Sequence, residues 1–259
     1  MLTFVGLGLY DKRSVTVAGR DAVRSADRVV AEFYTSKLAG STVDDLETYH
    51  DTEIEVRDRA GVERSPDDIL DEATDSDVVF LTAGDTMVST THTDLRLRAH
   101  DRDIDTRVVH GTTAQAAASS LTGLQNYRFG KATTLPFERS HAGDSLPTSV
   151  FDTIEENRDR GLHTLVFLDI DAANDDYMEA DGAAARLAEA YQHVLGVVVA
   201  RAGSPDPVVR ADRLAALAED SFGDPLHLLV IPGDLHLMER DALAALGEAP
   251  SDLLDELVA

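Results

Sequence analysis

Glycine beside a polar residue recurs where short apolar runs end. Examples are Gly6-Leu7-Gly8-Leu9-Tyr10-Asp11, Thr82-Ala83-Gly84-Asp85, Arg201-Ala202-Gly203-Ser204 and Pro232-Gly233-Asp234-Leu235-His236. Glycine lets a ligand approach main-chain amides and carbonyls, so such positions can read an adenosyl group through backbone hydrogen bonds alone. Gly6-Leu7-Gly8 also opens a dinucleotide-binding fingerprint, but Asp11 stands where the third glycine belongs and Glu32 falls too far on to serve a ribose. A tight turn after a strand is the plainer reading of that motif. Asp234 and His236, or Asp169 and Asp171, offer two metal ligands each, too few for a site, and acid pairs are expected by chance in so acidic a chain. None of the nine histidines is paired at helical or finger spacing, and His92, after Thr90-Thr91, reads as a helix start rather than a base. There is no Walker loop, no Gly-x-Ser-x-Gly elbow and no His-Glu-x-x-His, so phosphoryl transfer, serine hydrolysis and zinc proteolysis lose their usual supports.

The elements that must position these residues follow from periodicity. Apolar runs at Leu2 to Val5, Arg28 to Phe33, Val78 to Leu81, Arg107 to His110, Thr164 to Leu168, Val197 to Ala200 and Leu226 to Ile231 predict at least seven strands. They alternate with amphipathic stretches, the pattern of βα units around a largely parallel sheet. Ser65-Pro66-Asp67-Asp68 predicts a capped helix start, and Asp206-Pro207 predicts another before Leu214 and Leu217. Gly161 is expected to be left-handed after a helix starting near Thr148. A boundary near Gly111-Thr112 gives an α/β domain over residues 1–111 and a second over 112–259, with a small-residue helix from Thr113 and an exposed loop from Pro136 to Pro147.

Composition sets the wider limits. The 259 residues include 48 acidic and 23 basic side chains, a net charge of -25, and only three lysines, Lys12, Lys37 and Lys131. The acids are dispersed, as on a halophile's surface, where concentrated salt screens their repulsion. No basic stripe exists to displace counterions from phosphates, which argues against nucleic-acid binding. The absence of cysteine excludes disulfides, Cys-ligated metals and a thiol nucleophile. No run of eighteen apolar residues and no signal segment occurs, so the sequence reads as a soluble, cytoplasmic protein without membrane contact.

Eight segments together carry a family resemblance: GLGLYD (Gly6 to Asp11), AEFYTS (Ala31 to Ser36), FLTAGD (Phe80 to Asp85), TTHTDLRLRA (Thr90 to Ala99), GLHTLVFLDI (Gly161 to Ile170), ARAGS (Ala200 to Ser204), FGDPLH (Phe222 to His227) and IPGDLH (Ile231 to His236). In this order, along essentially the whole chain, they resemble the diphthine synthase family, within the wider group that includes the tetrapyrrole methylases. The resemblance implies two α/β domains of the class III methyltransferase type, S-adenosyl-L-methionine in the cleft between them, and a homodimer. It also implies trimethylation of the amino group of a modified histidine on translation elongation factor 2, in diphthamide biosynthesis, with no metal.

Matched residue by residue, the family's cofactor contacts fall on Leu9, Asp85, Val88, Thr113, Ala114, Leu168, Ala211 and His236. Asp85 is read as orienting the cofactor, and the catalytic group that takes the amine's proton is left unassigned. The loop from Ser140 to Leu146 is expected to touch the elongation factor. Two departures stand out: Ala83-Gly84-Asp85-Thr86 replaces the Pro-Gly-Asp-Pro of relatives, and Asp234 replaces a common lysine. A corrin or porphyrin methylase and an adenosyl-binding regulator without turnover are the rival readings; the AEFYTS and TTHTDLRLRA agreement favours diphthine synthesis.

Overall fold

A computed structural model describes residues 1–140 and 146–258. The expected loop contact at His141 to Ser145 therefore lies outside the described residues. The chain forms two compact units, Met1–Thr113 with Asp171–Asp175, and Ala114–Ile170 with Asp176–Ala259.

The first unit contains strands β1 (Leu2–Gly6), β2 (Arg28–Glu32), β3 (Glu55–Arg57), β4 (Val78–Thr82) and β5 (Thr106–Val109). Its helices are α1 (Val17–Ser25), α2 (Val43–His50), α3 (Arg59–Glu63), α4 (Asp67–Asp75) and α5 (Thr93–Asp101). The sheet order is β3-β2-β4-β1-β5 and every pairing is parallel. Because helices cover both faces, the central strands are buried on both sides and read as unbroken apolar runs. One face packs Val5, Val29 and Val79 against Val23 of α1 and Leu46 of α2. The other packs Phe4, Val30 and Phe80 against Ile69 of α4 and Leu95 of α5. Thr16 caps α1 by accepting from Gly19 N, and Thr42 with Asp45 forms a reciprocal capping box on α2.

Helix α4 begins one residue later than Ser65-Pro66 suggested. Pro66 occupies its N-cap position and no side chain caps it. The acids of its first turn favour the helix dipole and are drawn to arginines instead: Asp67 to Arg102, and Asp68 to Arg28 at 2.8 Å and Arg57 at 2.5 Å.

The second unit contains β6 (Thr133–Leu135), β7 (Thr164–Leu168), β10 (Leu195–Ala200), β11 (Val208–Arg213) and β12 (His227–Ile231), in the order β11-β10-β12-β7-β6. The short ladder of β8 (Ile170–Asp171) and β9 (Asp176–Tyr177) follows β7. Helices α6 (Ala114–Thr122), α7 (Thr148–Arg158), α8 (Ala180–Tyr191), α9 (Leu214–Leu217), α10 (Leu237–Leu246) and α11 (Ser251–Leu257) cover both faces. Gly161 has φ +66, as expected past the end of α7.

This second sheet corrects the expectation of largely parallel pairing. Only β6 and β7 run parallel; β7, β12, β10 and β11 pair antiparallel. The connection from Ala200 to Val208 is too short for a parallel crossover, so the chain must return alongside itself. Asp206-Pro207 accordingly does not start a helix. Pro207, which has no N–H to contribute, precedes edge strand β11, and the helix is the single turn α9.

Candidate active site

In a parallel sheet a crevice opens where two adjacent strands send their connections to opposite faces. Strands β1 and β4 are such neighbours: α1 follows β1 and packs on one face, whereas α5 follows β4 and packs on the other. The two loops meet just beyond the strand ends. Gly8 N donates to Gly84 O at 3.1 Å and Gly84 N donates to Gly8 O at 2.7 Å. A Cβ at Gly6 would stand 2.5 Å from Gly84 O and 2.6 Å from Gly111 N, so the ends of β1, β4 and β5 close up only around glycine. Gly84 has φ +72, which glycine adopts without the penalty of a side chain, and a Cβ there would meet nothing within 4 Å. The result is a backbone cradle with open space beside it, the form that main-chain recognition of an adenosyl group needs.

Three of the expected contacts lie on these two loops. Leu9 O accepts from Asp11 N at 2.9 Å and from the Ser14 hydroxyl. Val88 is 40% exposed. Asp85 is buried, and both of its oxygens are engaged. Oδ1 accepts from Met87 N at 2.9 Å; Oδ2 accepts from Gly111 N at 3.2 Å and from His110 Nδ1 at 2.8 Å. Thr113 ends the first unit.

At the end of β2 a second network forms. Glu32 and His92 have fully buried side chains and approach to 2.9 Å between Oε1 and Nε2. Thr90 Oγ1 lies 2.6 Å from His92 Nδ1, which suits a neutral ring that donates from Nε2 to Glu32 and accepts at Nδ1. Burial holds His92 down to about 4. Glu32 also receives Tyr34 N, Thr35 N and the Thr35 hydroxyl, tying the AEFYTS loop to the strand it leaves. Burial nevertheless pushes its carboxyl above the usual range. His92 thus stands at the helix start, as its position suggested, but its ring is a buried partner of Glu32.

The other four expected contacts belong to the second unit. Ala211 lies in β11, fully buried, and its N–H donates to Gly247 O at 2.8 Å. Ala114, the first residue of α6, packs on the same side of the sheet as Ala211, whereas Leu168, the last residue of β7, belongs to the core of the opposite side. Exposed His236 caps α10, its Nδ1 accepting from Met238 N at 3.2 Å. Within this unit, then, the structure groups Ala114 with Ala211 and leaves Leu168 on the other face.

His236 is held by Glu239, whose Oε2 accepts from His236 N at 2.8 Å. Glu239 Oε1 accepts from Gln125 N at 2.8 Å and faces buried His163 Nε2 at 3.2 Å, while His163 Nδ1 accepts from Gly233 N at 3.1 Å. Burial works against ionised Glu239, but the Gln125 and His236 amides and His163 outweigh it and lower its pKa. Burial lowers the pKa of His163. Among the described residues no group of three or more His, Asp or Glu could hold a metal, and no helix is long and apolar enough to cross a membrane.

Sequence reasoning did not single out Glu239, His163 or His110, nor the pairing of Glu32 with His92. The partners stand 76 residues apart in the first pair, 25 for His110 and Asp85, and 60 for Glu32 and His92. No local spacing expresses such contacts. One signal was present: Glu239 three residues after His236, the capping-box interval.

The family of tetrapyrrole (corrin/porphyrin) methylases matches residues 1–218. A protein of Halorubrum lacusprofundi named diphthine synthase is 68% identical, covering 99% of this chain and all of the relative. The diphthine synthase of Haloquadratum walsbyi is 66% identical over 98% of each chain, and that of Methanosarcina acetivorans 45% over 99% of each. The first two come from halophilic archaea, in line with the acid-rich, lysine-poor composition. A crystal structure of diphthine synthase superposes with a TM-score of 0.92 at 37% identity, covering 99% of each chain.

Proposed function

The chain belongs to the tetrapyrrole (corrin/porphyrin) methylase family and is a methyltransferase; from that premise we propose that it performs the reaction for which its relatives are named, diphthine synthesis. In this reading it transfers methyl groups from S-adenosyl-L-methionine to the amino group of a modified histidine on translation elongation factor 2, up to the trimethylammonium product. The cosubstrate supplies an already activated sulfonium methyl. The protein's work is therefore alignment of amine and methyl, an effect that reaches about 7–11 kcal/mol in favourable systems.

The observation that carries the reading is the cradle at Gly6, Gly84 and Gly111, with open space at Gly84 beside buried Asp85. Leu9, Asp85, Val88 and Thr113 are proposed to hold the adenosyl ligand from the first unit, and Ala114, Leu168, Ala211 and His236 from the second. Since the oxygens of Asp85 already receive Met87, Gly111 and His110, its contribution is to shape the loop that meets the ligand. Domains at 1–111 and 112–259, homodimeric assembly and cytoplasmic action belong to the same proposal.

The test is incubation in concentrated salt with labelled S-adenosyl-L-methionine and elongation factor 2 bearing the aminocarboxypropyl histidine. Mass gains in methyl steps on that histidine are expected. Methylation of a corrin or porphyrin ring with none on the factor contradicts the assignment. Asp85→Ala should raise the cosubstrate dissociation constant, read by equilibrium binding; unchanged affinity removes Asp85 from the site.

A further inference from the structure

We propose that His110 accepts the amine's proton during methyl transfer, with Asp85 aiming its imidazole. This rests on the methyltransferase reading given above and names the group that completes it.

The argument starts from exposure. The side chain of His110 is 77% exposed, while that of its partner Asp85 is 3% exposed. A carboxylate only accepts, so the 2.8 Å contact is an Nδ1–H donated to Asp85 Oδ2. That fixes the tautomer and leaves the lone pair on Nε2, which no other described residue engages. A buried carboxylate that orients an accessible imidazole in this way is the arrangement general-base catalysis uses. Asp85 is itself immobilised by Met87 N and Gly111 N, so the ring is aimed from a rigid support.

Position agrees with this role. His110 follows the last residue of β5, and Gly111 beside it closes on Gly6 and Gly84, so the imidazole sits at the rim of the glycine cradle. The carboxylates at the neighbouring strand ends are committed elsewhere. Asp11 pairs with Arg13 at 2.9 Å, and Glu32 is fully buried under donors from Tyr34, Thr35 and His92. The other histidines of this unit that lie in its core, His50 and His92, have no exposure through which to release a proton.

In the proposed step the substrate ammonium first gives its N–H proton to His110 Nε2, and the lone pair so freed then forms the new N–CH3 bond as the S–CH3 bond breaks, its electron pair remaining on sulfur. The resulting imidazolium faces Asp85 and passes the proton to water through its exposed edge. Each proton-bearing amine must be relieved in this way before it attacks, and the trimethylammonium product carries none.

The experiment compares wild type, His110→Ala and Asp85→Asn in the elongation-factor assay, with cosubstrate binding and melting temperature measured separately. Expected for His110→Ala is a fall in kcat of about 10²–10⁴-fold, with cosubstrate affinity and melting temperature unchanged. Added imidazole should restore part of that loss. Asp85→Asn should lower kcat without rescue by imidazole, because the ring is present but misdirected. A His110→Ala kcat within about threefold of wild type, or a loss explained wholly by weaker cosubstrate binding, overturns the proposal. Absence of wild-type turnover on the factor contradicts the reaction assignment itself, and with it this role.

Discussion

Among the described residues each unit buries a glutamate–histidine pair, and the two pairs differ in what they join. Glu32 and His92 fasten a strand to the loop that immediately follows it and to the start of α5. Glu239 and His163 join three distant segments, at Gln125, at His163 itself and at the stretch from Gly233 to Glu239 that includes His236. Both rings accept at Nδ1, from a hydroxyl in one case and a backbone amide in the other, and both face the carboxylate with Nε2. Yet burial leaves Glu32 with a raised pKa, whereas the distant Gln125 amide, the neighbouring His236 amide and His163 let Glu239 stay ionised more readily than a free carboxyl. Glu32 has no fewer donors than Glu239, so it is the heavier desolvation of Glu32 that decides which carboxylate tolerates its charge.

The largest expected effect separates the pairs by what they hold. Glu239→Ala should lose about 3–5 kcal/mol in denaturant unfolding, since it strands buried donors from three segments. Glu32→Ala should lose less, about 1–3 kcal/mol, because its backbone donors are local. Equal losses would break the comparison.

The glutamine variants sharpen it through pH. With Glu32 raised, wild-type stability rises as pH falls through the folded value, so the cost of Glu32→Gln shrinks toward higher pH. With Glu239 lowered, its contribution is present above 4.5 and lost as pH falls through the folded value, so Glu239→Gln costs most at neutral pH. Unfolding free energies at several pH values should therefore slope in opposite senses for the two variants; parallel slopes contradict the assigned directions.

His50 shows what a buried histidine does without a glutamate. It is fully buried, neither ring nitrogen has a hydrogen-bond partner, and burial with Arg24 and Arg20 holds it down to about 4. Such a group weakens the fold as pH drops from 6.5 toward about 4, by up to ~1.4 kcal/mol per pH unit. His50→Phe should flatten that part of the acid-unfolding curve. Smallest is Arg128→Gln, expected to cost under about 1 kcal/mol because the cation stands 3.7 Å from Glu239 and is itself partly exposed. A larger loss would mean that charge, rather than the amides, holds the second pair.

Much of the first unit was legible in the sequence. Strands buried on both faces, such as Val78–Thr82, are continuous apolar runs, and Gly84-Asp85 directly after one marks a place where backbone can meet ligand. Pairing direction in the second unit was not legible, because Val197 to Ala200 looks alike in parallel and antiparallel sheets. Strand β11 was hidden by Asp206-Pro207, which imitates a helix start, and by its edge position, where only Ala211 is buried. His110 stood among nine histidines with nothing local to distinguish it. Its meaning comes from the alignment of β5 beside β1 and of β1 beside β4, which carries Asp85 to within 2.8 Å.

The central claim is that an adenosyl ligand lies in the crevice at the ends of β1 and β4. The most direct measurement is a crystal structure with S-adenosylhomocysteine bound. The account predicts ligand density against the Gly84 backbone, with Leu9 and Val88 in contact and His110 at the edge. Density confined to any other part of either unit, with the Gly84 surface bare, contradicts it.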